Sequence, residues 1–150
     1  MITRRADATW TGDLKRGKGK VRFEGYEGPY SYASRFERGE GTSPEALIGA
    51  AHAGCFSMAL SLILEKAGSA PRSIETNAEV HLDPRELRIA RVDLRTRVDV
   101  PGMDAAALER CVEEAKQSCP VSKALAGVEI TASAELAPSR TTRETTAGPI

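Results

Sequence analysis

"TSPEALIGAAHAGCFSMALSLILEKAG", Thr42 to Gly68, carries both ends of a helix, and from Ala46 to Leu64 it holds no Asp, Glu, Lys or Arg. Ser43 is placed to cap the first turn, Pro44 suits the first helical position, and Glu45 sits at the positive end of the helix dipole. At the other end Lys66 falls in the last turn, Gly68 is free to take a left-handed cap conformation, and Pro71 prevents resumption. The spacing therefore predicts one long helix. An apolar stretch of this length also meets the requirement for a membrane span. Its Ala, Gly and Ser content, the missing aromatic belt and the amphipathic patterns on both sides favour a helix buried in a globular core instead.

Small residues recur along it. Gly49, Ala53 and Ser57 are spaced four apart, as are Ala46, Ala50 and Gly54, giving stripes on which another backbone packs closely. Each glycine costs a helix interior about 1 kcal/mol relative to Ala, so close packing is the expected compensation. A domain of 150 residues has few layers with which to cover such a helix. The expectation is a homodimer with this helix near the interface.

Outward from the helix, the upstream sequence reads as short strands around glycine turns: Ala8 to Thr11, Lys18 to Phe23 and Tyr30 to Phe36. Downstream, Glu75 to Leu82 and Ile89 to Val100 read as strands. Val92, Leu94, Thr96, Val98 and Val100 alternate with Arg91, Asp93, Arg95, Arg97 and Asp99, one face buried and one solvated. Asp104 is placed to cap a second helix with Leu108, Cys111, Val112, Ala115 and Cys119 along one stripe. Pro120 ends it and opens a short turn of helix to Leu125, and Val128 to Leu136 alternates as a last strand. The order predicts an α+β fold with an antiparallel sheet and a long buried central helix. Residues 1–137 form one domain, and 138–150 have the composition of an untethered tail.

Lys plus Arg and Asp plus Glu are balanced at 21 each, which supplies no positive field for nucleic acid or an anionic membrane surface. Neither is expected as a partner. Three widely spaced cysteines with no CxxC pair, and a start (MITRRADATWTGD) without an apolar run, argue for a reducing cytoplasm. "KRGKGK", Lys15 to Lys20, reads as a solvated hairpin rather than a phosphate loop, since no Walker spacing follows. His52 and His81 make no zinc spacing with the cysteines, so no metal or other cofactor is expected.

Cys55 has two readings on spacing alone: a small thiol that fills core space, or a reactive group. His52, one turn earlier, invites a Cys–His dyad, but no third orienting group accompanies it. Cys119 precedes Pro120, so its sulfur is expected to face the N-terminus of the following turn. Cys111 reads as core.

"ATWTGDLKRGKGKV", "SRFERGEGTSPEALIGAAHAGCFSMALSLILEKAG" and "VPGMDAAALERCVEEAKQSCPVSKAL" together resemble the OsmC/Ohr family of thiol-dependent peroxidases, most closely its OsmC branch. The resemblance runs over most of the chain, and the pair AAHAGCFSMALS and CPVSKAL carries it. It implies an intertwined homodimer with sites between the subunits and reduction of organic and fatty-acid hydroperoxides by a dithiol, often dihydrolipoyl. It also implies that Cys55 is the peroxidatic nucleophile, Cys119 the resolving cysteine, Arg35 the cation over the reactive sulfur, and Glu45 the group that holds Arg35. Ile48, Phe56 and Met58, around Cys55, are the expected apolar contacts for substrate. Two departures stand out: Ala46 replaces a second acidic residue that relatives often have, and the C-terminal tail is longer. A reading from another class is a non-catalytic module that binds a hydrophobic ligand, with the cysteines as packing.

The chemistry limits what Arg35 does. Lowering a thiol pKa from about 8.5 to about 6 raises its thiolate fraction at neutral pH roughly 30-fold, and lost nucleophilicity takes back about 13-fold. A net gain of about twofold is small, so the larger use of the guanidinium is to align the peroxide and stabilise charge on the leaving oxygen.

Overall fold

The computed structural model describes residues 1–138. Strands β1 (Ala6–Thr11), β2 (Lys18–Phe23) and β3 (Tyr26–Tyr30) form an antiparallel meander, and "KRGKGK" lies across its first hairpin. That hairpin is solvated: Arg16 pairs with Asp13 and Lys20 with Glu27 on the surface. The third strand lies earlier than the sequence pattern suggests, sharing only Tyr30 with the expected Tyr30 to Phe36. Tyr32–Phe36 is a turn of helix, α1, because Ser31 and Ser34 cap each other, each side chain bonded to the other's backbone N–H. Ser34 also donates to the Thr42 carbonyl at 2.7 Å, tying α1 to the start of the next helix.

Helix α2 (Pro44–Lys66) begins and ends where its signals lie. The Ser43 hydroxyl accepts from the Ala46 N–H. Gly68 sits at φ +90°, its N–H bonded to the Glu65 carbonyl and that of Ser69 to the Leu64 carbonyl, closing the helix with a Schellman turn. α2 lies on a second sheet made of β4 (Ser73–Asp83), β5 (Arg88–Asp99) and β6 (Glu129–Leu136), and it also packs against α3 (Ala105–Ser118) and α4 (Pro120–Ala124). Its length and mean hydropathy of 1.8 match a membrane span, but here it is a core helix of the domain.

The expectation of an antiparallel sheet holds for β4–β5 and fails for β5–β6, which pair in parallel. The reason is the connection. α3 and α4 form a crossover that returns the chain to the same end of the sheet, as a parallel pair requires. The core lies between sheet and helices: Phe56, Leu60 and Leu64 of α2, Val92, Leu94 and Val98 of β5, and Leu108, Val112 and Ala115 of α3. The alternation read along β5 is the one observed, with Val92 to Val98 inward and Arg95 and Arg97 outward.

The two small-residue stripes of α2 meet different fates. Gly49 faces the sheet, where a Cβ would stand 3.3 Å from Val80 Cγ2, and Ser57 bonds Thr76 at 2.7 Å. The other stripe, Ala46, Ala50 and Gly54, runs on to Met58 and Leu62, and all five are exposed. Within one chain α2 is thus not buried on every side: Met58 is 77% exposed and Leu62 51%. The tail predicted for 138–150 falls, apart from Pro138, outside the described residues.

Candidate active site

α2 brings a carboxylate to its first turn and a thiol to its middle. Glu45 lies in its first turn and Cys55 ten residues on, about 15 Å along the axis at the α-helical rise.

At the first position Glu45 is buried and holds Arg35 from α1. The guanidinium Nη2 donates to Glu45 Oε1 at 2.8 Å, and Nε donates to Oε1 at 3.1 Å and Oε2 at 3.3 Å. A planar fork on a carboxylate fixes the orientation of the cation as well as its place. Beside it, Trp10, Tyr30, Tyr32 and Phe36 gather round a cup of about 240 Å³ closed by Leu14 and Arg35. Trp10 and Tyr30 rings lie 5.5 Å apart, Tyr32 and Phe36 5.0 Å, and the guanidinium carbon sits 5.1 Å from the Phe36 ring. Sequence reasoning missed this cup. With one Trp, three Tyr and three Phe in the whole chain, the gathering of four near Arg35 was the available signal, but they come from two strands and α1 and share no spacing.

At the second position the Cys55 thiol is half-buried, with the thiol of Cys119 and the Val121 N–H close enough to act on its ionisation. All three cysteines are free. Cys119 is fully buried, at the joint between α3 and α4: its N–H donates to the Ala115 carbonyl and its own carbonyl accepts from the Lys123 N–H. Cys119 makes no side-chain cap on α4, contrary to the expectation that its sulfur faces that turn, and the Val121 amide of α4 acts instead on the ionisation of Cys55. Burial, followed by the Cys119 thiol, pushes the Cys55 pKa up, and the Val121 amide pulls it down. No cation is among these groups. Arg35, engaged on Glu45, does not reach the Cys55 of its own chain.

The remaining expected residues divide. Ile48 is half-buried and Met58 exposed, whereas Phe56 is fully enclosed in the core. Cys111 is buried on α3, where desolvation raises its pKa, and it joins neither position. His52 is no base for Cys55: its Nε2 is bonded to the Ser122 hydroxyl at 2.8 Å, and burial lowers its pKa.

Among the described residues, one group of potentially ligating atoms lies outside the site. Glu79, His81 and Asp93 lie within 4.8 Å of one another on the sheet. Arg91 and Arg95 already neutralise the two carboxylates, at 3.0 and 2.9 Å, and Thr131 donates to Asp93 at 2.7 Å. The cluster reads as a compensated surface network.

A pair of free, neighbouring thiols where a core helix meets a short helical turn, on an α+β frame, is the feature that sets this protein apart. The comparisons name the family. A model of OsmC-like proteins matches residues 37–133. The peroxiredoxin OsmC of Escherichia coli (strain K12) is 48% identical over 129 residues, 83% of this chain and 90% of that protein. The organic hydroperoxide resistance protein of Xanthomonas axonopodis pv. citri is 36% identical over 95 residues, 59% of this chain and 63% of that one. Among solved structures, an OsmC-like protein of unknown function from Vibrio cholerae superposes with a TM-score of 0.72 at 18% identity, over 90% of this chain and 100% of that one. An organic hydroperoxide resistance protein from Legionella pneumophila gives 0.69 at 21%, over 90% and 99%. The chain belongs to the OsmC-like family.

Proposed function

We propose that the chain is a thiol-dependent peroxidase that reduces organic hydroperoxides, with Cys55 as nucleophile and Cys119 as resolving thiol. The observation that carries this is that the fold brings two free thiols, 64 positions apart in sequence, near enough for one to act on the ionisation of the other. The printed names of its relatives, a peroxiredoxin and an organic hydroperoxide resistance protein, support a peroxidase role in the family.

In the proposed cycle the Cys55 thiolate attacks one peroxide oxygen, the O–O bond breaks, and the alkoxide leaves and takes a proton to become the alcohol. Cys55 is then a sulfenic acid. Cys119 attacks its sulfur, the S–O bond breaks, water departs and a disulfide remains. An external dithiol, of which a dihydrolipoyl group is one form, restores both thiols by exchange.

Arg35 acts across a subunit boundary in this reading. Its distance from Cys55 along α2 and the exposed stripe Ala46, Ala50, Gly54, Met58 and Leu62 both support a two-fold pair of chains, in which the Arg35 of one copy serves the Cys55 of the other. Closing that interface removes water from the sulfur and adds a cation, which offsets the upward push of burial on the thiol. The aromatic cup beside Arg35, with Ile48 and Met58, favours a greasy tail over hydrogen peroxide. A reducing compartment such as the cytoplasm keeps the thiols ready between turnovers.

The test is peroxide challenge of the reduced protein followed by mass spectrometry of non-reduced peptides. A Cys55–Cys119 bridge, with one alcohol formed per peroxide lost, is the expected result. Two unmodified thiols would sink the proposal and leave the ligand-binding reading.

A further inference from the structure

His52 is the only buried polar side chain among the described residues with an atom left unpaired. It is fully enclosed, its Nδ1 has no partner, and its one bond runs from Nε2 to Ser122 at 2.8 Å. A half-satisfied imidazole in a core is less stable than an apolar side chain of the same shape. Packing alone does not account for it.

Its position does. On α2, His52 and Cys55 are one turn apart, and from the α3–α4 joint Cys119 and Ser122 are one turn apart as well. The same two elements are thus joined by two rungs, one of sulfur and one of imidazole and hydroxyl. The sulfur rung changes at every step of the proposed cycle: neighbouring thiols, sulfenic acid, disulfide. α4 spans only five residues and has no side-chain cap, so it holds no fixed place by itself. When Cys55 carries an oxygen, the surroundings it shares with Cys119 and the Val121 N–H change together, and the His52–Ser122 rung is the hydrogen bond that remains.

We infer that His52 and Ser122 are positioning residues for the resolving step, holding the α3–α4 joint in register so that Cys119 reaches the oxidised Cys55. The inference rests on the peroxidase reading above. It concerns only the second chemical step, in which the S–S bond forms, the S–O bond breaks and water leaves. Formation of the sulfenic acid does not need the rung.

The experiment follows the two steps separately in the full chain, by dimedone trapping of sulfenic acid and by quenched-flow mass spectrometry of the disulfide. Ser122→Ala leaves both imidazole nitrogens unpaired and endangers the fold. The double variant His52→Leu/Ser122→Ala, which replaces both partners by apolar groups, therefore carries the test. Expected are an unchanged rate of sulfenic acid formation, disulfide closure slowed about threefold to tenfold, the range set by one hydrogen bond, and more Cys55 sulfinic acid at excess peroxide. His52→Gln, whose amide reaches the place of Nε2, restores closure to within about twofold of the parent. Closure at the parental rate in the double variant, with normal trapping, overturns the inference alone. Absence of any Cys55 adduct in the unaltered protein overturns the peroxidase reading and the inference with it.

Discussion

The two ends of the site on α2 are built in opposite ways. The Arg35–Glu45 end is complete in one chain: a buried carboxylate, a cation forked onto it and an aromatic cup beside it, with no nucleophile. The sulfur end has the proposed nucleophile, its proposed resolving partner and a backbone amide, with no cation, and burial works against its ionised form. Each end lacks what the other has. A helix of 23 residues keeps them about 15 Å apart, so no side-chain rearrangement within a chain joins them. The difference teaches that each position is legible in one copy, and it is what the proposed two-fold pair of chains would reconcile.

The largest effect expected is at the sulfur. Cys55→Ser removes the nucleophile and lowers kcat/KM for cumene hydroperoxide by at least about 1,000-fold, while melting temperature and secondary structure stay near the parent. Retained turnover in a coupled dithiol assay would move the chemistry elsewhere. At the charged end, Arg35→Lys keeps a cation but loses the planar fork. The expected loss is about 100-fold in kcat/KM, with the thiolate fraction of Cys55, read by absorbance at 240 nm across pH, changed far less. Losses in proportion would mean that the guanidinium serves only to ionise the thiol.

How much of this was legible in the sequence follows from how local each feature is. The ends of α2, the alternation of β5 and the Asp104 cap depend on neighbours a few residues away, and each lies where its signal put it. The Tyr32–Phe36 turn was read as strand because aromatic residues suit strands. The reciprocal capping of Ser31 and Ser34, which decided otherwise, left no signal that outweighed them. The parallel pairing of β6 is a property of a long crossover, which no window of residues contains. Within the site, Cys55, Cys119, Arg35 and Glu45 were named through resemblance, since spacing alone left Cys55 undecided between filler and nucleophile. The His52–Ser122 bond joins residues 70 apart and has no sequence signature.

A smaller effect separates the ends by pH. His52 is kept neutral in the fold by burial, whereas in the unfolded chain it takes up a proton near its ordinary value of 6.5. The unfolded state then binds more protons, so stability is full above about 6.5 and is lost as pH falls from there toward the lowered folded value. Asp93, whose pKa is lowered first by the Thr131 hydroxyl and then by His81 and Arg91, adds a loss of the same sign at lower pH. Thermal melts between pH 7.5 and 5 should show the decline in the parent and a flatter curve in His52→Gln. Equal slopes would mean that His52 is charged in the fold.

The smallest effect is the most direct probe of whether the ends meet through a second copy. Gly49 and Gly54 lie in the same helix, but a Cβ at Gly49 would crowd Val80, and one at Gly54 would meet nothing within 4 Å in the single chain. On helix propensity alone Gly54→Ala stabilises by about 1 kcal/mol. If that face packs against a partner's backbone, the added methyl instead separates the chains, and the sign reverses when they are associated. Expected, then, is a dissociation midpoint moved to higher protein concentration in Gly54→Ala by analytical ultracentrifugation, and a peroxidase rate that falls on dilution earlier than the parent's. A melting temperature raised equally at all concentrations, with no change in association, would mean that the exposed stripe faces solvent and that Arg35 reaches the sulfur by another route.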